Sequence, residues 1–114
     1  MGSSSIVNRI ETCEYVVPRV LTKIVAAIAT PEAIAPASPP IFFRKATVIG
    51  NKAARTANAG IVYFGTGSGN DTQAFALAAG AVIYINAPVG CKMNFADWWV
   101  DAATAADGVT IIYT

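Results

Sequence analysis

From Arg44 to Thr114 the chain alternates short apolar runs with turn-forming segments, and this alternation constrains the fold more than any other feature. The runs are Ala46–Ile49, Ile61–Phe64, Ala81–Ile85, Phe95–Val100 and Val109–Tyr113. Between them lie Gly50–Gly60, Gly65–Asp71, Ala87–Gly90 and Ala102–Gly108. Runs this short, rich in Val, Ile, Tyr, Phe and Trp and punctuated by Gly, Asn, Asp and Pro, predict an all-β chain. Its expected form is an antiparallel β-sandwich or a jelly-roll-like barrel. In the last run Val109, Ile111 and Tyr113 share one face and Thr110, Ile112 and Thr114 the other, so one side is apolar and the other mixed.

The remainder of the chain is less regular. Residues 1–16 mix Gly and Ser with short apolar pairs and read as an N-terminal arm; residues 17–114 read as one sandwich domain. Val17–Ala29 fits either a helix with Val20, Leu21, Ile24, Val25 and Ile28 on one face, or a strand dense in β-branched residues that ends at Thr30-Pro31. Ala35–Pro40 holds three prolines and predicts a stiff, extended connector. Phe42 and Phe43 then enter a strand, where neighbours face opposite sides. One of the two must meet a covering segment or a partner.

Composition points to assembly. Hydrophobic residues make up 54% of the 114 and charged residues 13%, with alanine supplying much of the excess. So few charges suit a subunit that hides surface against neighbours. Charge is also divided. Residues 1–55 carry seven bases against three acids, +4, whereas residues 56–114 carry Lys92 against Asp71, Asp97, Asp101 and Asp107, −3. Opposite ends of this kind suit head-to-tail packing, with solvated scatter as the plain alternative. The bases form no dense cluster with interleaved aromatics, so nucleic acid is not an expected partner. Val16–Ala29 carries Pro18, Arg19 and Lys23 and is too short to span a bilayer, so no membrane is expected. No secretory signal is apparent, and Ile6 stands where a myristoylation motif needs Ser or Thr. Cys13 and Cys91 are expected to be reduced, semi-buried small hydrophobes.

The sequence offers no reaction chemistry, and neither a catalytic centre, a metal nor a cofactor is expected. It contains no His, which removes the commonest general base and metal ligand. Gly65-Thr66-Gly67-Ser68-Gly69-Asn70 lacks the final glycine of a dinucleotide fingerprint and reads as a hairpin loop. On a strand, Asp97 and Asp101 stand about 13 Å apart, too far for a retaining glycosidase pair. In that same strand Ala96, Trp98 and Val100 face one way and Phe95, Asp97, Trp99 and Asp101 the other. Two carboxylates mark the second face as wet, which puts Trp98 in the core and leaves Trp99 outside. Trp99 is then an interface anchor or an aromatic lying over its own loop.

Arg44-Lys45-Ala46-Thr47-Val48-Ile49, Gly60-Ile61-Val62-Tyr63-Phe64-Gly65 and Leu77-Ala78-Ala79-Gly80 form a recurring order of strands and turns. Asp97-Trp98-Trp99-Val100-Asp101 and Gly108–Tyr113 complete it. This order resembles small β-sandwich domains of tailed-bacteriophage virion proteins, over about seventy residues. Leu21–Ile34 resembles the preceding strand of such domains, which favours strand over helix there. The resemblance implies a non-enzymatic virion structural protein, made in the host cytoplasm, that decorates or cements a head or forms part of a fibre or neck. Its implied partners are other copies of itself and the major capsid or other virion proteins. Expected interface residues are Trp99, Phe42 and Phe43, with Ile6, Ile10 and Tyr15 in the arm. The alternative is a carbohydrate- or receptor-binding sandwich in which Trp99, beside Asp97 and Asp101, stacks on a sugar.

Overall fold

In the computed structural model, which describes residues 16–114, the chain forms twelve strands and one short 3-10 turn. The strands are β1 (Arg19–Ile24), β2 (Glu32–Ala33), β3 (Phe42–Phe43), β4 (Lys45–Ile49), β5 (Asn51–Ala53) and β6 (Thr56–Ala57). They continue as β7 (Val62–Gly65), β8 (Phe75–Leu77), β9 (Val82–Asn86), β10 (Met93–Asn94), β11 (Trp99–Ala102) and β12 (Gly108–Tyr113). The first sheet has the order β1-β12-β4-β9 and the second β2-β11-β7-β8. Two small ribbons, β10-β3 and β5-β6, complete the set. Every pairing is antiparallel. The fold is all-β, and Val17–Ala29 contains strand rather than helix.

The two large sheets turn their inner faces to one core. The row Leu21–Ile111–Val48–Ile83 crosses the first sheet, with Ala46, Ile85, Val109 and Tyr113 beside it. Val62, Phe64, Leu77, Val100 and Ala102 come from the second sheet into the same cluster. The apolar side of β12 is therefore the buried one, as its alternation predicts. Aromatic rings fill one end of this core. Phe43 stacks on Phe95 at 4.1 Å, Phe64 on Trp98 at 5.1 Å, and Tyr113 meets Phe95 edge-on at 5.0 Å.

Three expectations are corrected. Phe95–Val100 is not one strand, because Phe95–Asp97 forms a 3-10 turn and β11 begins at Trp99. Asn94 starts the turn by accepting a hydrogen bond from the Ala96 N–H at 2.9 Å. Side chains three apart eclipse in this geometry, so Phe95 and Trp98 both turn inward instead of facing opposite sides. The Asp107-Gly108 pair suits a hairpin turn between the Trp98–Asp101 run and Val109–Tyr113, but β11 belongs to the second sheet and β12 to the first, so Ala103–Asp107 crosses between them. Cys91 is exposed and unpaired instead of semi-buried, whereas Cys13 lies outside the described residues.

Two side chains fix that crossover. Both oxygens of the buried Asp107 carboxylate accept backbone N–H groups, from Ala59 at 2.9 Å and Gly60 at 2.8 Å. Gly108 passes so close to β1 that a Cβ there would collide with the Lys23 carbonyl oxygen. Only a glycine lets β12 begin at that point.

Candidate functional site

The outer faces of the two sheets carry the features a partner or ligand could use. On the first sheet, alternation places Val20, Ile112, Thr47 and Tyr84 in one cross-strand row pointing away from the core. Val20 is 63% exposed and Tyr84 74%, and Ile112 is also exposed. The parallel row, Thr22–Thr110–Ile49–Val82, is partly covered by the β5-β6 ribbon, since the Thr110 hydroxyl donates to the Asn51 carbonyl at 3.2 Å. The uncovered row opens into two shallow concavities that share Tyr113 and Thr114. Val16, Val17 and Phe42 border the second of these. The exposed apolar surface thus runs from Tyr84 to the point where residues 1–15 join the described chain.

The sequence-based interface residues separate across this surface. Phe42 is 43% exposed, with the Lys92 ammonium 4.2 Å above its ring. Phe43 is 1% exposed and belongs to the core, so it is not available to a partner. That is the split the strand alternation requires of two adjacent phenylalanines. Ile6, Ile10 and Tyr15 lie outside the described residues. Tyr84, Ile112 and Val20 were not singled out from sequence. The signal was present in Val82–Asn86, where Ile83 and Ile85 turn inward and Val82 and Tyr84 outward.

On the second sheet, Tyr63 and Asp101 are cross-strand partners on the outer face, with Trp99 opposite Gly65 next to them. The loop from β7 to β8 folds back over this face. Gly65 permits the approach, because a Cβ there would sit 2.7 Å from the Ala74 nitrogen. Tyr63, Asp71, Gln73 and Asp101 line a cavity of about 290 Å³ beneath the loop. Asp101 is only 5% exposed, so the wet face expected for β11 is in fact covered by the loop. Its carboxylate accepts one hydrogen bond among the described residues, from the Ala102 N–H to Oδ1 at 2.8 Å. Asp71 adopts φ +60°, a left-handed conformation that Asp and Asn tolerate better than most residues.

Gln73 shapes the loop. Its Nε2 donates to the Gly67 carbonyl at 2.6 Å and the Gly69 carbonyl at 3.0 Å, while its buried Oε1 has no partner. Trp99 is half-buried rather than fully outward. The expected sugar platform of Trp99, Asp97 and Asp101 is not assembled, since Asp97 is exposed on the 3-10 turn and Asp101 lies under the loop. Among the described residues no group of three or more His, Cys, Asp or Glu side chains is placed to hold a metal.

One carboxylate is perturbed. Glu32 accepts the Ala26 N–H at 2.9 Å and pairs with the Lys23 ammonium at 3.1 Å, and these contacts, the backbone bond first, hold it below the usual glutamate range. Comparison with known proteins gives no family model, curated protein or solved structure that matches the chain.

Proposed function

We propose that this chain is a non-enzymatic structural protein of a tailed-bacteriophage virion, a jelly-roll-like β-sandwich that decorates or cements the capsid. The observation that carries the assembly part is the uncovered row Val20–Ile112–Thr47–Tyr84, continuous with Phe42 and with the residues that follow the N-terminal arm. An exposed Tyr, Phe, Ile and Val together on one sheet face have the chemistry of an interface core, where aromatic anchors dominate binding. Val16 and Val17, where the described chain begins, border the same surface, and in this reading sheet and arm engage one neighbour together. The virion part is supported by the strand-and-turn order from Arg44 to Tyr113 and its resemblance to such domains.

The test is occupancy on particles purified from a host that encodes the chain. Wild-type protein should co-purify with heads. Tyr84→Lys with Ile112→Lys, and separately removal of residues 1–16, should leave a folded β-protein by circular dichroism that no longer co-purifies. Absence of the wild-type chain from particles, or undiminished occupancy by both variants, would overturn the reading.

A further inference from the structure

β9 is a bare sheet edge. It closes the first sheet on one side and β1 on the other, while β2 and β8 are the edges of the second sheet. At the ends of the β4–β9 ladder the Gly50 N–H donates to the Ala81 carbonyl, and the Ala87 N–H donates to the Arg44 carbonyl. Hydrogen-bonded pairs alternate along an antiparallel ladder, so Ile83 and Ile85 direct their backbone groups to β4. The N–H and C=O groups of Val82, Tyr84 and Asn86 therefore point away from the sheet. Among the described residues no strand lies beside them.

The two sides of the sandwich treat their edges differently. On β1, Lys23 shares the inward side with Leu21 and pairs with Glu32 of β2 at 3.1 Å, and Glu32 also accepts the Ala26 N–H. An inward-pointing charge on an edge strand hinders pairing with another chain. β2, only two residues long, carries that same Glu32. Val82–Asn86 has no charge, no proline and no register shift against β4, and Phe75–Leu77 of β8 is uncharged too. Val82, Tyr84 and Phe75 are all exposed. One side is guarded and the other is not.

We propose that β9 pairs with β9 of a second copy, antiparallel, about a two-fold axis through Tyr84. The register that engages all three outward residues sets Tyr84 opposite Tyr84 of the second copy and Val82 opposite its Asn86. Ile83 then faces Ile85 of the second copy on the core side, and aromatic and β-branched pairs of this kind stabilise a sheet. A strand without charge meets its own copy without repulsion. Lys45, the base beside Asn86, would stand about 20 Å from its copy, beyond the screening length of about 8 Å. The contact is isologous and closes at two, unlike the head-to-tail packing that the divided charge suits. It joins two sheets into one of eight strands and doubles the uncovered row Val20–Ile112–Thr47–Tyr84. The inference rests on the assembly part of the proposed function and names a second copy as one partner, with the row itself left free.

Sedimentation and NMR on the full chain test it. Wild type should show a monomer–dimer equilibrium, with contacts between Ile83 Hα and Ile85 Hα in mixtures of labelled and unlabelled protein. Tyr84→Lys and Tyr84→Glu each set like charges opposite one another and should weaken the dimer about tenfold, whereas their equimolar mixture should recover it. Tyr84→Pro removes an outward N–H and should also weaken it about tenfold, while Thr22→Pro at the β1 edge should leave it unchanged. The proposal is overturned if wild type stays monomeric or grows beyond a dimer. It is equally overturned if the mixture associates no better than either variant, if Thr22→Pro weakens the dimer as Tyr84→Pro does, or if β9 contacts residues 1–15 or β1 of the second copy. A monomeric wild type that still occupies particles defeats this pairing alone, and a dimer absent from particles defeats the virion reading alone.

Discussion

Asn58 and Gly108 are hydrogen-bonded to each other twice: the Asn58 Nδ2 donates to the Gly108 carbonyl at 2.7 Å, and the Gly108 N–H donates to Asn58 Oδ1 at 3.0 Å. The side-chain amide thereby does what a neighbouring strand would do, at the start of β12 where no backbone is positioned to pair on that side. Both groups are buried. Asn58→Ala removes two bonds and strands two backbone groups, so it should cost about 2–4 kcal/mol. Asn58→Asp keeps the acceptor, loses the donor and places a charge against a carbonyl, and should cost no less. Urea unfolding at neutral pH measures both.

Gly108→Ala should be the most damaging small substitution at any described glycine bordering β1. The new Cβ would meet the Lys23 carbonyl, which is main chain held in the β1–β12 ladder and unable to swing aside. The expected loss exceeds about 3 kcal/mol. Gly69→Ala is the control: its nearest neighbour would be the Thr72 methyl at 3.4 Å, an ordinary contact. Thermal melts of the two variants should differ sharply, and equal melts would contradict the close approach.

Adjacent phenylalanines should behave as opposites. Phe43 stacks between core aromatics, so Phe43→Ala should destabilise by about 3–5 kcal/mol. Phe42 is exposed beside Lys92, and Phe42→Ala should change stability by less than about 1 kcal/mol, the scale of one exposed cation–π contact. Its effect should instead appear in occupancy on particles. Chemical denaturation and co-purification together separate the two roles.

Glu32 links stability to acid. Its carboxylate is lowered by the Ala26 N–H and by Lys23, so the folded state holds it ionised below the ordinary value of 4.5. The stabilisation is present above the unfolded-state value and is lost as pH falls through the lower, folded-state value. Glu32→Gln should therefore cost less than about 1 kcal/mol at pH 7, as fits a partly exposed pair. The same variant should show a smaller loss than wild type when unfolding is repeated below pH 4.5.

Much of the local structure was legible because alternation is a local property. The inward face of β12 and the opposed fates of Phe42 and Phe43 follow from which side of an extended backbone a residue takes, and the glycines after Gly65 marked the hairpin loop. The 3-10 turn was missed because a run rich in Phe and Trp invites a strand, and one Asn side chain bonded to Ala96 N–H was enough to tip it. The burial of Asp101 was missed for a different reason. Its cover is a loop from another part of the chain, and a carboxylate carries no mark of what will lie over it.

The sequence by itself determined that the chain is all-β, where most strands fall and which of their faces seek the core. Period-two alternation is indifferent to partners, so it could not say that β12 lies between β1 and β4 or that β11 belongs to the other sheet. Those choices rest on contacts between distant segments, such as Asn58 with Gly108 and Asp107 with Ala59 and Gly60. They also decide what remains outside: an uncovered apolar row on one sheet and a loop-covered cavity on the other.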